Sequence, residues 1–412
     1  MIEFKKFTLN NGLKVIVNKD KTTSIVAFNI LYDVGARDES ENLTGFAHLF
    51  EHLMFGGSKN IRHYDKVLQK ASGENNAFTN NDFTNYYITI PKENIETAFY
   101  LESDRMLELA FSKKSLDVQR NVVSEEFRQR YFNQPYGDVS LFMRPLAYTT
   151  HPYKWSTIGK NIEQIMSASL EQVKDFFYTH YAPNNAILTI SGDVDIEEIK
   201  ILAEKWFGDI PSRNIYKRQI PDEPPQTQKR SLDLERQVPH DAIYMAYHIC
   251  GRMDCDYYAT DLISDILSNG RSSYFNINLI KEKQLFSEVD AYISGSYHPG
   301  LFQIEGKLYP NVSFEDAENA IKEEISKLTL GKFSERDLTK VKNKAITTQK
   351  FSRIGALNIA MELAYFEFLG DANLINEIEE KYMSVQKKQI IDVANQIFND
   401  NNLSCIYYKS IK

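Results

Sequence analysis

Four of the chain's twelve prolines, Pro211, Pro221, Pro224 and Pro225, fall close together near the middle of its 412 residues. The stretch that follows, Gln226–Arg230, is wholly polar. Proline fixes φ and removes a backbone donor, and a polar run offers nothing to a core, so this stretch reads as a linker. It divides the chain into residues 1–210, a linker at 211–230, and residues 231–412. Each flank is about the size of one domain, whereas the whole would overfill a single core.

Each half mixes short β-branched runs with amphipathic stretches. Leu13–Val17 and Ile25–Tyr32 are expected as strands and Phe46–Phe55 as a helix, with Ala186–Ile190 a strand ending in a Ser191-Gly192-Asp193 turn. In the second half Ala242–Tyr247 and Leu301–Leu308 are expected strands, and Ser313 an N-cap for a helix to about Leu328. The halves also look like copies. FAHLFEHLMFGGS (Phe46–Ser58) and ATDLISDILSNGRSS (Ala259–Ser273) are both apolar helices with a glycine-containing stop. A shift of 213 residues sets Leu53-Met54 on Ile266-Leu267 and puts Asp261, Ser264 and Asp265 opposite His48, Glu51 and His52. The expectation is two α+β domains related by duplication, with the chemistry kept in the first.

Composition excludes several classes. At 42% hydrophobic and 25% charged the chain is an ordinary globular sequence, and a formal net charge of −8 argues against a nucleic-acid partner. Cys250, Cys255 and Cys405 provide neither a disulfide framework nor a zinc–cysteine pattern. No apolar run approaches the roughly 18–20 residues of a membrane span; Ile25–Tyr32, among the longest, is interrupted by Asn29. The start, MIEFKKFTLNNGLKVIV, reads as strand, Asn11-Gly12 turn and strand, not as a signal peptide, so a cytoplasmic or periplasmic chain is expected.

The most informative pentapeptide is His48-Leu49-Phe50-Glu51-His52. On a helix these two imidazoles and the carboxylate fall within an arc of about 100°. Histidines one turn apart can share a metal ion, and a carboxylate beside the second can reach water at that ion. With only eight histidines in the chain, the spacing is informative. Two solvated histidines on an ordinary surface helix is the competing reading, and the apolar Leu49, Phe50, Leu53, Met54 and Phe55 disfavour it.

A hydrolytic zinc site needs a third protein ligand. In Gln119–Arg130, taking Val122, Val123 and Phe127 as the apolar face of a helix puts Glu126 inside that face and Glu125 outside it. A carboxylate aimed into a core needs a charge partner, either a metal or an arginine. Gln119, two turns earlier on the same face, could hydrogen-bond a ligand from behind.

With these residues in view, GARDESENLTGFAHLFEHLMFGGS resembles the M16 (pitrilysin-like, inverzincin) metallopeptidases, and the length resembles the short subunits of the mitochondrial processing peptidase. GENNAFTNNDFTNYY (Gly73–Tyr87), HPYKWSTIG (His151–Gly159) and YAPNNAILTISGDVD (Tyr181–Asp195) match further landmarks. The resemblance implies a LuxS/MPP-like metallohydrolase fold, two homologous domains each with a mixed, largely antiparallel sheet covered by helices. It also implies one Zn²⁺ per chain on His48, His52 and Glu126, Glu51 as catalytic base, and a substrate strand held along Asn76, Ala77 and Phe78. Two departures from the family stand out. Gln119 stands where a glutamate is usual. In the C-terminal half, an ungapped alignment of Ser272–Tyr292 puts Ile280 and Ser287 where an arginine and a tyrosine reach the substrate. The expected partners are therefore a peptide substrate and a homologous subunit carrying that pair, in a heterodimer, with a homodimer as the alternative.

Overall fold

A computed structural model describes residues 1–411. The described residues form two compact units, each built round one sheet. In the first, β1 (Lys5–Thr8), β2 (Lys14–Lys19), β3 (Ile25–Tyr32), β4 (Glu74–Thr79), β5 (Thr84–Pro91) and β6 (Ala186–Gly192) lie in the order β1-β2-β6-β3-β5-β4. Among these only β2 and β6 run parallel. The Asn11-Gly12 turn demands its glycine: φ is +90°, and a Cβ there would come within 2.8 Å of the Asn184 side chain. β3 is buried everywhere but Ile25, the near-continuous apolar run of a strand covered on both faces. Asn29, which interrupts that run, accepts a hydrogen bond from Asn85 Nδ2 at 2.7 Å.

The second unit contains β7 (Arg230–Arg236), β8 (Ala242–His248), β9 (Phe286–Ile293), β10 (Leu301–Leu308) and β11 (Leu403–Ser410), ordered β7-β11-β8-β10-β9. Again one pair, β7 with β11, is parallel. Ala242, Leu301 and Leu403 each open a strand 217 residues after Ile25, Thr84 and Ala186. β8 lies between β11 and β10 as β3 lies between β6 and β5. The duplication is therefore one of topology. Ser313 caps the helix Phe314–Thr329, accepting from Asp316 N–H at 3.0 Å.

Five helices bear on the site and on the exchange: α1 (Phe46–Leu53), α2 (Lys113–Phe127), α3 (Val139–Ala147), α4 (Tyr257–Ser268) and α5 (Ala356–Phe368). α1 packs against α2, β4 and β5, and α4 against β9. The compact units do not follow the chain halves. The first gathers Met1–Gln129, Trp155–Ile220 and Lys350–Glu377; the second holds Arg130–Lys154, Pro221–Gln349 and the described residues from Ile378. α5, from the C-terminal half, covers β2, β3 and β6, where Tyr365 and Phe368 meet the Phe83 ring at 5.8 and 5.4 Å. α3, from the N-terminal half, covers β7, β8 and β11, burying Met143 and Ala147 with Leu234, Tyr244 and Ile406. Ala356 lies 217 residues after Val139, so the same helix of each copy crosses to the other copy's sheet. An amphipathic pattern specifies which face a helix buries, not the sheet it buries against, so nothing in the sequence announced the exchange. Among the described residues no helix is long and apolar enough to cross a membrane.

Candidate metal centre

Phe46, Leu49, Phe50 and Leu53 recur along α1 at helical spacing and are all buried. The Phe50 ring stacks on Phe176 and Tyr181, each at a centroid distance of 5.1 Å. Full burial of such a ring stabilises by roughly 1.5–3 kcal/mol, which fixes the rotation of this two-turn helix. The remaining side carries His48, Glu51 and His52. Gly45 admits the chain to the helix at φ +86°, where a Cβ would meet the Ile158 carbonyl at 2.6 Å.

α2 presents its buried face differently from the sequence expectation. Leu116, Val123, Ser124 and Phe127 are buried, but Val122 is 45% exposed. The apolar stripe is thus centred away from Val122, and Glu126 stands on its border with its side chain 36% exposed rather than inside it. The border position still aims it at α1. Glu125 points outward and pairs with Arg128 at 3.3 Å.

His48 Nε2 lies 3.5 Å and His52 Nε2 3.3 Å from Glu126 Oε2. The two imidazoles are 4.9 Å apart between centroids and nearly perpendicular, at 76°. One ligand atom from each of the three lies within 4.8 Å of the others, close enough to hold a metal ion. Two imidazoles and one carboxylate suit zinc, and a set of three leaves a tetrahedral position open.

Glu51 is half-buried beside this cluster. Burial raises its carboxyl from the ordinary value, the polar groups of neighbouring Thr79 and the charge of His52 oppose the rise, and Glu126 adds to it. Thr79 ends β4 and was not singled out from the sequence, although it closes the quoted ENNAFT run. Tyr86 and Tyr181, buried behind α1, feel the Glu51 charge and were missed altogether. Each reads as an ordinary core aromatic.

β4 is one of the two edge strands, so its outer side offers unpaired backbone groups. Asn76, Ala77 and Phe78 sit at its centre, opposite Tyr87, Tyr86 and Asn85 of β5. Ala77 N–H donates to Asn76 Oδ1 at 2.8 Å, so the asparagine side chain covers an edge donor. Gln119 is half-buried on α2, and among the described residues no hydrogen bond joins it to the three candidate ligands. Ile280 lies in a π-helix, Phe275–Glu282. Ser287 and Tyr292 are exposed on β9.

Two family models match the chain. One, described as Insulinase (Peptidase family M16), matches residues 14–146, and the other, Peptidase M16 inactive domain, matches residues 167–345. The chain is 28% identical over 414 residues to the zinc protease PqqE of Helicobacter pylori, covering 98% of this chain and 92% of that protein. It is 22% identical over 419 residues to the probable mitochondrial-processing peptidase subunit beta of Arabidopsis thaliana, covering 98% and 77%. The crystal structure of a protease from Helicobacter pylori superposes with a TM-score of 0.93 at 26% identity, covering 99% of this chain and 100% of that one. A shared fold along nearly the whole length, and two M16 models lying one in each half, lead to one conclusion: the chain belongs to the M16 peptidase family.

Proposed function

We propose that the chain is a zinc-dependent endopeptidase acting on extended peptides, with His48, His52 and Glu126 holding the ion. The observation that carries this reading is the convergence of both Nε2 atoms on one Glu126 oxygen, with a separate carboxylate, Glu51, on the same helix face. Relatives named zinc proteases support it. Zinc held there supplies the Lewis acidity that acidifies water and polarises a scissile carbonyl. Glu51 takes the proton from the attacking water and returns it to the leaving amine. Asn76–Phe78 receive the substrate as an added strand, Asn76 swinging aside to free the Ala77 N–H, so affinity comes from backbone bonds with little sequence demand. Gln119, two turns before Glu126 on α2, is assigned to support the ligands from behind once the ion is held.

The positions matching the family's arginine and tyrosine hold Ile280 and Ser287, and lost positioning contacts of that kind cost about 3–4 kcal/mol each. We therefore assign full activity to a heterodimer with a homologous subunit that carries the pair, and a homodimer is the alternative. A second reading, a metal-binding but idle chain, is favoured by the description of the model over residues 167–345. The candidate ligands and Glu51 lie outside that range. Glu51→Gln decides between peptidase and idle chain: bound zinc should stay near one per chain while hydrolysis of a quenched-fluorescent peptide falls ~10²–10⁴-fold. Absence of turnover by the unaltered chain, with or without a homologous partner, would establish the idle reading. Full activity of the monodisperse chain, unchanged by the partner, would remove the heterodimer.

A further inference from the structure

The segment Gly35–Gly45 bridges the two parts of the proposed site. At its start, Ala36 and Arg37 N–H donate to the Asn80 and Asn81 carbonyls at 3.1 and 2.8 Å, in the turn that follows edge strand β4. The Arg37 guanidinium pairs there with Asp82 at 3.1 Å and with Asp33 at 2.9 Å. Trp155 Nε1 donates to the Ala36 carbonyl at 2.9 Å, locking the same stretch from outside. At its end the segment runs into α1, whose N-cap is a glycine and therefore lacks a capping side chain.

Glu39 sits between these anchors and is 1% exposed. Its carboxylate spans the start of the helix: Oε2 accepts from Gly45 N–H and Oε1 from Ala47 N–H, both at 2.8 Å. Its own backbone carbonyl accepts from the Arg218 guanidinium. Ala47 immediately precedes His48. A fully buried carboxylate is costly, and burial pushes this one up to about 8 against the helix N–H groups that lower it. The N-cap position cannot carry a capping side chain itself, since Gly45 sits at φ +86° against the Ile158 carbonyl, so the acceptors come from Glu39. What the long side chain adds is reach: it fixes α1 to a loop already clamped to the end of β4.

We infer that Glu39 is a positioning residue, setting the height of α1 along its axis so that His48, Glu51 and His52 face Glu126 and the edge strand together. α1 has only eight residues, so a slip of the helix displaces all three side chains at once. The inference rests on the proposed reading of His48, His52 and Glu126 as metal ligands.

The test measures zinc affinity of metal-free protein against a chromophoric chelator, with thermal melting in parallel, for Glu39→Asp and Glu39→Gln. Aspartate keeps the charge and both acceptors but shortens the reach; glutamine keeps the length but turns an amide donor toward a backbone N–H. A positioning role predicts that Glu39→Asp melts within a few degrees of the unaltered protein yet binds zinc at least fivefold more weakly. Glu39→Gln should lose ten- to hundredfold in zinc affinity, as for other groups that orient ligands from outside. A shifted visible spectrum of the cobalt(II)-loaded aspartate variant would report the displaced ligands directly. Zinc affinity of Glu39→Asp within twofold of the unaltered chain would reduce Glu39 to an ordinary cap, and failure of both variants to fold would assign it to folding; either overturns the inference. The metal reading fails separately, if His48→Ala binds zinc as tightly as the unaltered chain.

Discussion

In the first copy, α1 turns His48, Glu51 and His52 toward Glu126; in the second, α4 carries Asp261, Ser264 and Asp265, paired with them by the 213-residue sequence shift, four short of the 217 that relates the strands. Both helices lie against an edge strand of their sheet. The donors differ in what they are free to do. The imidazole nitrogens of α1 converge on one oxygen. Asp261 instead accepts from the Tyr382 hydroxyl at 2.5 Å, and Asp265 from Asn269 Nδ2 at 2.5 Å. The Lys344 ammonium donates to the same Asn269 and lowers the cost of the Asp265 charge. Each carboxylate of the second copy has its own protein partner, and among the described residues no three-ligand cluster forms round α4. One scaffold thus either gathers lone pairs at a point or ties each one up locally.

The largest expected contrast is in metal content. His48→Ala should take bound zinc from one per chain to none and peptide hydrolysis to background, whereas Asp261→Ala should leave one zinc bound. Metal analysis of the two purified variants checks this, and loss of zinc from Asp261→Ala would make the second copy a metal site too. A finer contrast lies within α2. Glu126→Gln should lose zinc on dialysis against a weak chelator, well beyond the roughly 10–100-fold effect of removing an outer partner, while Glu125→Gln keeps it. The reversed result would move the third ligand to Glu125.

The smallest effect concerns the carboxylates of α4. Burial, with the neighbouring Asp261 charge, pushes Asp265 up to about 6, against an ordinary 3.8. The folded state then holds a proton more tightly than the unfolded chain, so ionised Asp265 destabilises the protein above pH 6. That cost fades as pH falls through 6 toward 4. Asp265→Asn should therefore raise stability at pH 8 by on the order of 1 kcal/mol, and the gain should vanish by pH 4. Denaturation midpoints at the two pH values measure it, and a gain that is the same at both would show that the effect is not electrostatic.

Sequence reasoning reached furthest where the determining interactions are local. Ile25–Tyr32 and Leu301–Leu308 have the expected bounds because β-branched runs bordered by turn residues leave few alternatives. His48, Glu51 and His52 were legible because helical spacing alone puts them on one face. Glu126 was chosen over Glu125 from an apolar face that included Val122, yet Val122 is exposed, and the geometry brings Glu126 to α1 from the border of the stripe. Glu39 was invisible as anything but a polar loop residue, since its partners lie across a turn whose path the sequence does not specify.

The crossing of α3 and α5 has a consequence for synthesis. β6 is the last strand of the first sheet to leave the ribosome, ending at Gly192, but the helix that covers β2, β3 and β6 begins only at Ala356. At about 5–20 residues per second, that interval lasts on the order of ten to thirty seconds. During it the first sheet lacks the helix that covers β2, β3 and β6. The first sheet therefore waits for Ala356–Phe368, and the second for its own last strand, Leu403–Ser410.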